Sequence, residues 1–262
     1  SFPRLIFSVD FWIPYDLVLL IGAAIVFPFW LKLDASLTET PGFTRDLLGM
    51  YFILSGVATG ILWIEVDLMQ IRLSALVWTV SVLAVVLYSL WMNYSPRILW
   101  IPSLFGLVVL HRISSLQIPV YPQWILLINI LLLSSVAVLC IHLLLSGSGP
   151  PAAARRRYQA LLLILLIRLV WDLGFILVVA TEDDYGIRLP LYRFLLENEL
   201  RVAIIYALTA WFLALPLMGA LLFWGKSMGR RVRRWGEVIF VLIFSVSLIP
   251  AGYFLLIYGY VL

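Results

Sequence analysis

Arg168 and Asp172 are the residues of this chain whose types and spacing most directly suggest chemistry. They stand four residues apart in RLVWDLGF, inside the apolar run LLLILLIRLVWDLGFILVVA. Side chains at positions i and i+4 lie on one face of a helix, so this arginine and this aspartate can form an ion pair. A lone charge near the middle of a bilayer costs between about 2.5 and more than 10 kcal/mol. The pair must therefore face protein or water.

Two interpretations of this pair follow from the sequence. In the first, the ion pair is structural and locks its helix against a neighbouring helix. In the second, Arg168 and Asp172 form a polar site for a quinone headgroup, a proton or a substrate. Packing is the expected role of Trp171, which stands between them in the sequence.

Four further charged residues stand near the predicted outer ends of the first three helices. Asp16 lies in the first apolar run, and WIEVDLMQIR places Glu65 and Asp67 at the end of the second helix and Arg72 at the start of the third. Charged residues at helix ends ordinarily form solvated surface ion pairs, which add little stability. Asp16 and Glu65 are the stronger candidates for a quinone, proton or substrate site, because apolar residues flank both.

The histidines and the single cysteine argue against several kinds of metal site. His111 is expected at the outer end of its helix and His142 near the cytoplasmic end of the next, which separates them by roughly 30 Å at about 1.5 Å per residue. We therefore expect neither a bis-histidine haem nor any other metal site. Cys140 has no partner for a disulfide, and no hydrolase or nucleotide-binding motif is present.

The composition identifies the surroundings of these residues. Hydrophobic residues make up 64% of the 262 residues and charged residues 12%, whereas a soluble domain carries about 25% charged residues. A helix needs roughly 20 apolar residues to cross a bilayer. Eight segments approach or exceed this length: 13–31, 47–66, 73–92, 97–113, 123–145, 158–180, 201–224 and 237–260.

We therefore predict an all-α fold, a polytopic integral membrane bundle of about eight transmembrane helices. Segment 97–113 is short, so it is either a full span or a re-entrant hairpin. The loops are too short for a separate soluble domain, which needs about 50 residues. The prediction is one transmembrane domain over 1–262, with four-helix halves 1–146 and 158–262 joined by a linker at 147–157, within SGSGPPAAARRR.

The basic residues predict the orientation of the bundle. Arginine clusters in the loops on one side, namely Arg155, Arg156, Arg157, Arg230, Arg231, Arg233 and Arg234. Cytoplasmic loops of membrane proteins carry an excess of Lys and Arg. We therefore predict a multi-pass protein of the cell inner (plasma) membrane with both termini extracytoplasmic. The excess of positive charge is explained by membrane topology, so no nucleic-acid partner is expected.

Small residues and prolines predict how these helices pack. SGVATG places Gly56 and Gly60 in GxxxG spacing, which lets another helix approach closely. Pro216 and Pro250 fall inside the last two predicted helices, where proline frees a backbone carbonyl and permits a kink.

Two stretches carry a family resemblance. GMYFILSGVATGILWIEVDL, followed by a helix ending in SLWMNYSPRILWIP, resembles the NrfD/PsrC family of quinone-interacting membrane subunits. The chain departs from that family in one respect, because the glycine-rich helix usually comes first and here is second. The resemblance implies a haem-free anchor that takes quinol or quinone beside an iron–sulfur partner subunit.

Three functions remain open at this point. The first is a haem-free subunit of a multi-subunit redox or energy-converting complex, which anchors iron–sulfur or cytochrome partners and contributes a quinone or proton site. The second is a transporter or channel whose site is Arg168 and Asp172. The third is a structural or assembly subunit. The expected ligands are membrane lipids and a quinone. A non-catalytic or quinone-site subunit is favoured over a self-contained enzyme.

Overall fold

The computed structural model describes residues 15–35, 41–65, 69–91, 96–117, 123–145, 151–178, 180–182, 187–198, 200–225 and 227–260. This part of the chain is almost entirely helical, which confirms the all-α prediction. The first five helices are α1 Tyr15–Ala35, α2 Pro41–Glu65, α3 Met69–Trp91, α4 Trp100–Gln117 and α5 Gln123–Leu145. A 3₁₀ turn, Pro96–Leu99, precedes α4.

The helices in the second part of the chain vary more in length and are less regular. They are α6 Pro151–Val178, α7 Leu191–Asn198, α8 Leu200–Tyr206, α9 Leu215–Trp224 and α10 Arg230–Tyr260. A π-helical segment, Ala207–Ala214, joins α8 to α9 in one continuous helix. Strands β1 Ala180–Glu182 and β2 Arg188–Pro190 form a short antiparallel hairpin in which Thr181 pairs with Leu189.

Within the described residues, each of the eight predicted apolar segments lies largely in helix. Helix α6 begins at Pro151, before the predicted start at 158, so residues 151–157 of the predicted linker are helical. A proline is well tolerated in the first turn of a helix, where its missing N–H has no intrahelical partner. Helix α4 is continuous from Trp100 to Gln117, without the chain reversal of a re-entrant hairpin.

Among the residues that the structure describes, four helical stretches are long and apolar enough to cross a membrane. They are Ile71–Ser89, Leu127–Leu144, Ala154–Val178 and Leu200–Trp224. The shorter apolar helices are Leu17–Trp30, Leu48–Ile64 and Trp100–Ile113. Transmembrane helices are expected to be apolar on all sides, because lipid and protein both present apolar surfaces to them.

The chain forms two compact units, Ser1–Ser134 and Ser135–Leu262. The boundary falls inside α5 rather than at the predicted 147–157 linker. Hydrogen bonds from a side chain explain part of this difference, because Arg234 of α10 donates to the backbone carbonyls of Leu143 and Leu144. The last turns of α5 are thereby tied to the second unit.

In the first unit, α1 packs against α2 and α4, and α3 packs against α4. Two glycines permit this packing. A Cβ on Gly22 would lie 2.3 Å from Ser134 Oγ, and one on Gly106 would lie 3.1 Å from Nε1 of the fully buried Trp78. Around Gly56 and Gly60, by contrast, no described atom lies within 4 Å of the Cβ position. The close approach expected at the GxxxG pair is therefore made instead at Gly22 and Gly106.

In the second unit, α6 packs against α9, while α10 packs against α8, the π segment and α9. Pro216 stands in the first turn of α9, directly after the π segment. Because proline has no N–H, an α-helical bond from residue 216 to the carbonyl of Phe212 cannot form. The wider i→i+5 hydrogen-bonding pattern of the π segment ends just before this proline.

Candidate functional site

Helix α6 buries one face, and that face carries both predicted charges. The buried positions recur every three or four residues: Arg157, Tyr158, Leu161, Ile164, Leu165, Arg168, Asp172 and Phe175. Only 6% of Arg168 and 3% of Asp172 is exposed. Both residues belong to the stripe that packs against the rest of the second unit, inside the candidate span Ala154–Val178.

The ion pair expected from the i, i+4 spacing is present and includes a third residue. Arg168 Nε lies 3.3 Å from Asp172 Oδ2. Arg168 Nε also donates a hydrogen bond to the Tyr206 hydroxyl at 2.8 Å, and that hydroxyl donates to Asp172 Oδ2 at 2.5 Å. We call Arg168, Tyr206 and Asp172 the Arg–Tyr–Asp triad. Its tyrosine is the last residue of α8, so the triad connects α6 to the continuous helix whose α9 part packs against α6.

The π segment shapes the surroundings of Tyr206. The Arg168 guanidinium carbon lies 5.7 Å from the centre of the Tyr206 ring, within the distance of a cation–π contact. The Trp211 ring meets Tyr206 edge-on, with 5.7 Å between centroids and 71° between planes. In a π-helix residues five apart are hydrogen-bonded neighbours on successive turns, so this segment brings Trp211 over Tyr206. The Trp211 indole also lies beside the Asp172 carboxyl.

The triad is electrically neutral as a whole, which explains how it can stand in an apolar span. One arginine cation faces one carboxylate, and the phenol both accepts from the cation and donates to the anion. Charge-assisted hydrogen bonds are about twice as strong as neutral ones. They strengthen further where the local dielectric is low. Chemically, the arrangement can hold α6 and α8 together, and it can also exchange a proton at the phenol or the carboxyl.

Sequence reasoning did not identify Tyr206. It lies in the run RVAIIYALTAW, without a neighbouring charge or a motif. Its only signal would have been a buried hydroxyl in an apolar helix, which needs a partner. The partner stands 34 residues earlier in the chain, and spacing within one helix cannot reveal it.

A second buried polar cluster lies where α6 and α10 begin. The Tyr158 hydroxyl donates a hydrogen bond to Glu237 Oε1, and Arg234 Nη1 donates to Glu237 Oε2 at 3.0 Å. Arg234 also donates to the carbonyls of Leu143, at 3.0 Å, and of Leu144. We call Tyr158, Glu237 and Arg234 the Tyr–Glu–Arg cluster. It joins the ends of α5, α6 and α10, and sequence reasoning did not identify Tyr158 or Glu237.

The four other predicted site residues are not brought to the triad by any described contact. Asp16 lies in α1 and Glu65 is the last residue of α2, but their side chains lie outside the described part of the structure, and so does Asp67 as a whole. Arg72 is exposed on α3. Asp16, Glu65 and Asp67 remain predicted site residues without described side chains, and Arg72 remains a predicted site residue on an exposed helix face.

The two histidines occupy different settings. His111 is exposed on α4 in the first unit, whereas His142 is buried on α5 in the second. Among the residues that the structure describes, no three His, Cys, Asp or Glu side chains are grouped as a metal site would require. Cys140 is buried, as its apolar surroundings in the sequence indicate.

The connection between α6 and α8 carries an ordinary surface ion pair on α7. Arg193 Nε lies 2.7 Å from Glu197 Oε1, and this carboxylate raises the pKa of the Arg193 side chain. Arginine is already protonated at every physiological pH. The pair is exposed, so it adds little stability, and it has no features of a site.

Comparisons with protein-family models, with curated proteins and with solved structures give no match. The resemblance to the NrfD/PsrC family therefore stays a prediction from the two sequence stretches that carry it.

Proposed function

We propose that this chain is an eight-span inner-membrane protein, the haem-free membrane subunit of a multi-subunit energy-converting complex, in which the Arg–Tyr–Asp triad is a proton site. The observation that carries the proposal is the triad itself. A carboxyl and a phenol share one short hydrogen bond of 2.5 Å inside a candidate span, and an arginine holds both. Ionisable residues inside transmembrane segments are costly and commonly mark proton or substrate pathways.

The charge balance of the triad constrains how it would work. If a proton neutralised Asp172 alone, the Arg168 cation would stay uncompensated in the membrane at a cost of several kcal/mol. Proton arrival must therefore be coupled to a second event, such as reduction of a nearby quinone or movement of Arg168. Tyr206 stands between the two charges, so its hydroxyl is the group through which a proton would pass.

The uncovered surfaces of the spans leave room for the other subunits of a larger complex. Large apolar side chains remain exposed along α3, α6 and α8, among them Leu73, Val80, Leu163, Val170 and Ile205. In a membrane these faces contact either lipid or other subunits, and the quinone and iron–sulfur partners of the proposal would occupy some of them.

A transporter is the second candidate, and the π segment favours it. Irregular helix at membrane depth is tolerated where it is buried in protein or lines a water-filled cavity. π-turns are also frequent at functional sites. The segment Ala207–Ala214 begins directly after Tyr206, so a change in its hydrogen bonding would move the triad hydroxyl.

The test is to purify the tagged chain in mild detergent, identify what accompanies it, and reconstitute the preparation in liposomes that contain a pH-sensitive dye. We expect stoichiometric partners with iron–sulfur or cytochrome centres, and proton movement driven by the redox reaction. The double variant Arg168→Leu with Asp172→Asn should assemble with the same partners and lose that proton movement.

Two outcomes decide against the proposal. A double variant that assembles and moves protons at the wild-type rate makes the triad a purely structural clamp. A chain that purifies without partners yet transports a solute or protons through the triad supports the transporter instead.

A further inference from the structure

A cavity lies at the start of α10. No residue of the triad lines it, and Arg234 is the one member of the Tyr–Glu–Arg cluster among its lining residues. Its volume is about 580 Å³, and its lining residues are Arg230, Arg231, Arg234, Trp235 and Val238. These positions are one, four, five and eight residues along from the first, so they share one face of the helix. We call this space the arginine cavity. Its lining therefore combines three arginines with a tryptophan and a valine.

The three arginines have different roles. Arg234 is held in place by Glu237 and by the backbone carbonyls at the end of α5, so its charge is balanced and its position fixed. Arg230 and Arg231 are exposed. Within the described part of the chain neither of them forms an ion pair, and no carboxylate lines the cavity. The cavity therefore carries two uncompensated positive charges beside a fixed third guanidinium.

An exposed apolar stripe continues from the cavity along the same helix. It consists of Trp235, Ile239, Leu242 and Val246, which are spaced three or four residues apart and all exposed. A cationic cavity at the end of an apolar stripe matches a molecule with an anionic head and an apolar tail. A free inorganic anion has no apolar part that could contact the stripe.

We propose that the arginine cavity binds the phosphate of an anionic phospholipid, with the acyl chains lying along the Trp235 stripe. Guanidinium groups bind phosphate oxygens in a bidentate manner, and basic pockets beside transmembrane helices on the cytoplasmic side bind anionic lipid headgroups. Tryptophan favours the headgroup level of a bilayer, which places Trp235 at the junction of head and tail. The site rests on the proposed membrane placement of α10, and it is independent of the triad.

The experiment measures lipid binding to the protein purified with its native partners. Phosphatidylglycerol and phosphatidylcholine are titrated into delipidated samples, and bound lipid is counted by native mass spectrometry. The variant Arg230→Gln with Arg231→Gln leaves Arg234 and its structural contacts intact. We expect roughly 30-fold weaker binding of phosphatidylglycerol, from about fivefold per arginine, and unchanged binding of phosphatidylcholine.

A matched control removes the same charge elsewhere. Arg155 and Arg156 are exposed on α6 and do not line the cavity, so Arg155→Gln with Arg156→Gln should keep the wild-type affinity. Equal losses in both double variants would overturn the proposal in favour of a diffuse surface charge. Inorganic phosphate that displaces the lipid at similar concentrations would overturn it in favour of a free-anion site.

A wrong membrane placement of α10 can be distinguished from failure of the lipid site and from failure of the triad. Accessibility of a cysteine at position 227 reports the side on which α10 begins, whereas the liposome assay reports the triad. A lost lipid site with the expected labelling and proton movement refutes only the arginine cavity.

Discussion

At the scale of single residues, the Arg–Tyr–Asp triad predicts an unequal response to removal of one charge or both. Arg168→Leu or Asp172→Asn alone leaves the other group without its counter-charge, and breaking a buried ion pair in this way costs about 3–5 kcal/mol. The double variant removes both the attraction and the cost of burying the charges, so its stability should lie near that of the wild type. The measurement is thermal unfolding followed with a thiol-reactive dye, because Cys140 is the single, buried cysteine. Additive losses in the double variant would contradict the coupling.

The Tyr206 hydroxyl makes a narrower prediction. Tyr206→Phe keeps the ring, its contact with Trp211 and both charges, but removes the hydroxyl that joins Arg168 to Asp172. A buried group left with one fewer hydrogen-bond partner costs about 1–3 kcal/mol, so the variant should unfold at a lower temperature. Tyr88→Phe is the matched control, since Tyr88 is exposed on α3 and should be neutral. Identical unfolding of the two variants would show that the hydroxyl contributes nothing.

How far these residues could be foreseen depends on sequence separation. Arg168 and Asp172 are one helical turn apart, so helix geometry alone predicts their contact. Tyr206 and Glu237 join their clusters through tertiary packing of helices that are distant in the sequence. A lone tyrosine in an apolar run has many possible orientations, and nothing local selects the one that meets a charge.

At the scale of the helices, the first unit contains a packing contact that a single methyl group tests. Gly22→Ala would place a Cβ 2.3 Å from Ser134 Oγ and 2.9 Å from Ile130 Cγ2, so these side chains or the helices that carry them must shift. Overpacking of this kind costs about 1–3 kcal/mol. Gly60→Ala is the control: its Cβ has open space, and alanine favours helix over glycine by about 1 kcal/mol. We expect a lower unfolding temperature for the first variant and an unchanged or higher one for the second; the reverse order would disprove the packing.

The helices themselves follow closely from the apolar runs, because only helix satisfies the backbone of a long apolar segment without external partners. The elements that sequence reasoning omitted are the irregular ones. The β1–β2 hairpin and α7 fall in a polar connection of low apolar periodicity. The π segment ends just before Pro216 and packs against α10, and a proline alone predicts a kink without its form.

At the scale of the whole molecule, orientation is the prediction that connects both proposals. Ser227 is exposed beside the arginines of α10, and Tyr192 is exposed on α7. The distribution of arginine predicts that the first is cytoplasmic and the second extracytoplasmic. In a Cys140→Ala background, Ser227→Cys should therefore resist a membrane-impermeant maleimide in intact cells and react after permeabilisation, whereas Tyr192→Cys should react in both.

The predicted orientation follows from the action of the membrane potential on the arginine side chains. Each elementary charge moved across 100 mV costs about 2.3 kcal/mol, and several arginines near the start of α10 make their translocation correspondingly unfavourable. The charges that would hold this end in the cytoplasm also supply the arginine cavity, so the predicted orientation and the proposed lipid binding share one cause. Labelling of residue 227 from outside intact cells would place the cavity in the outer leaflet and refute the predicted topology, while the described contacts of the triad would be unaffected.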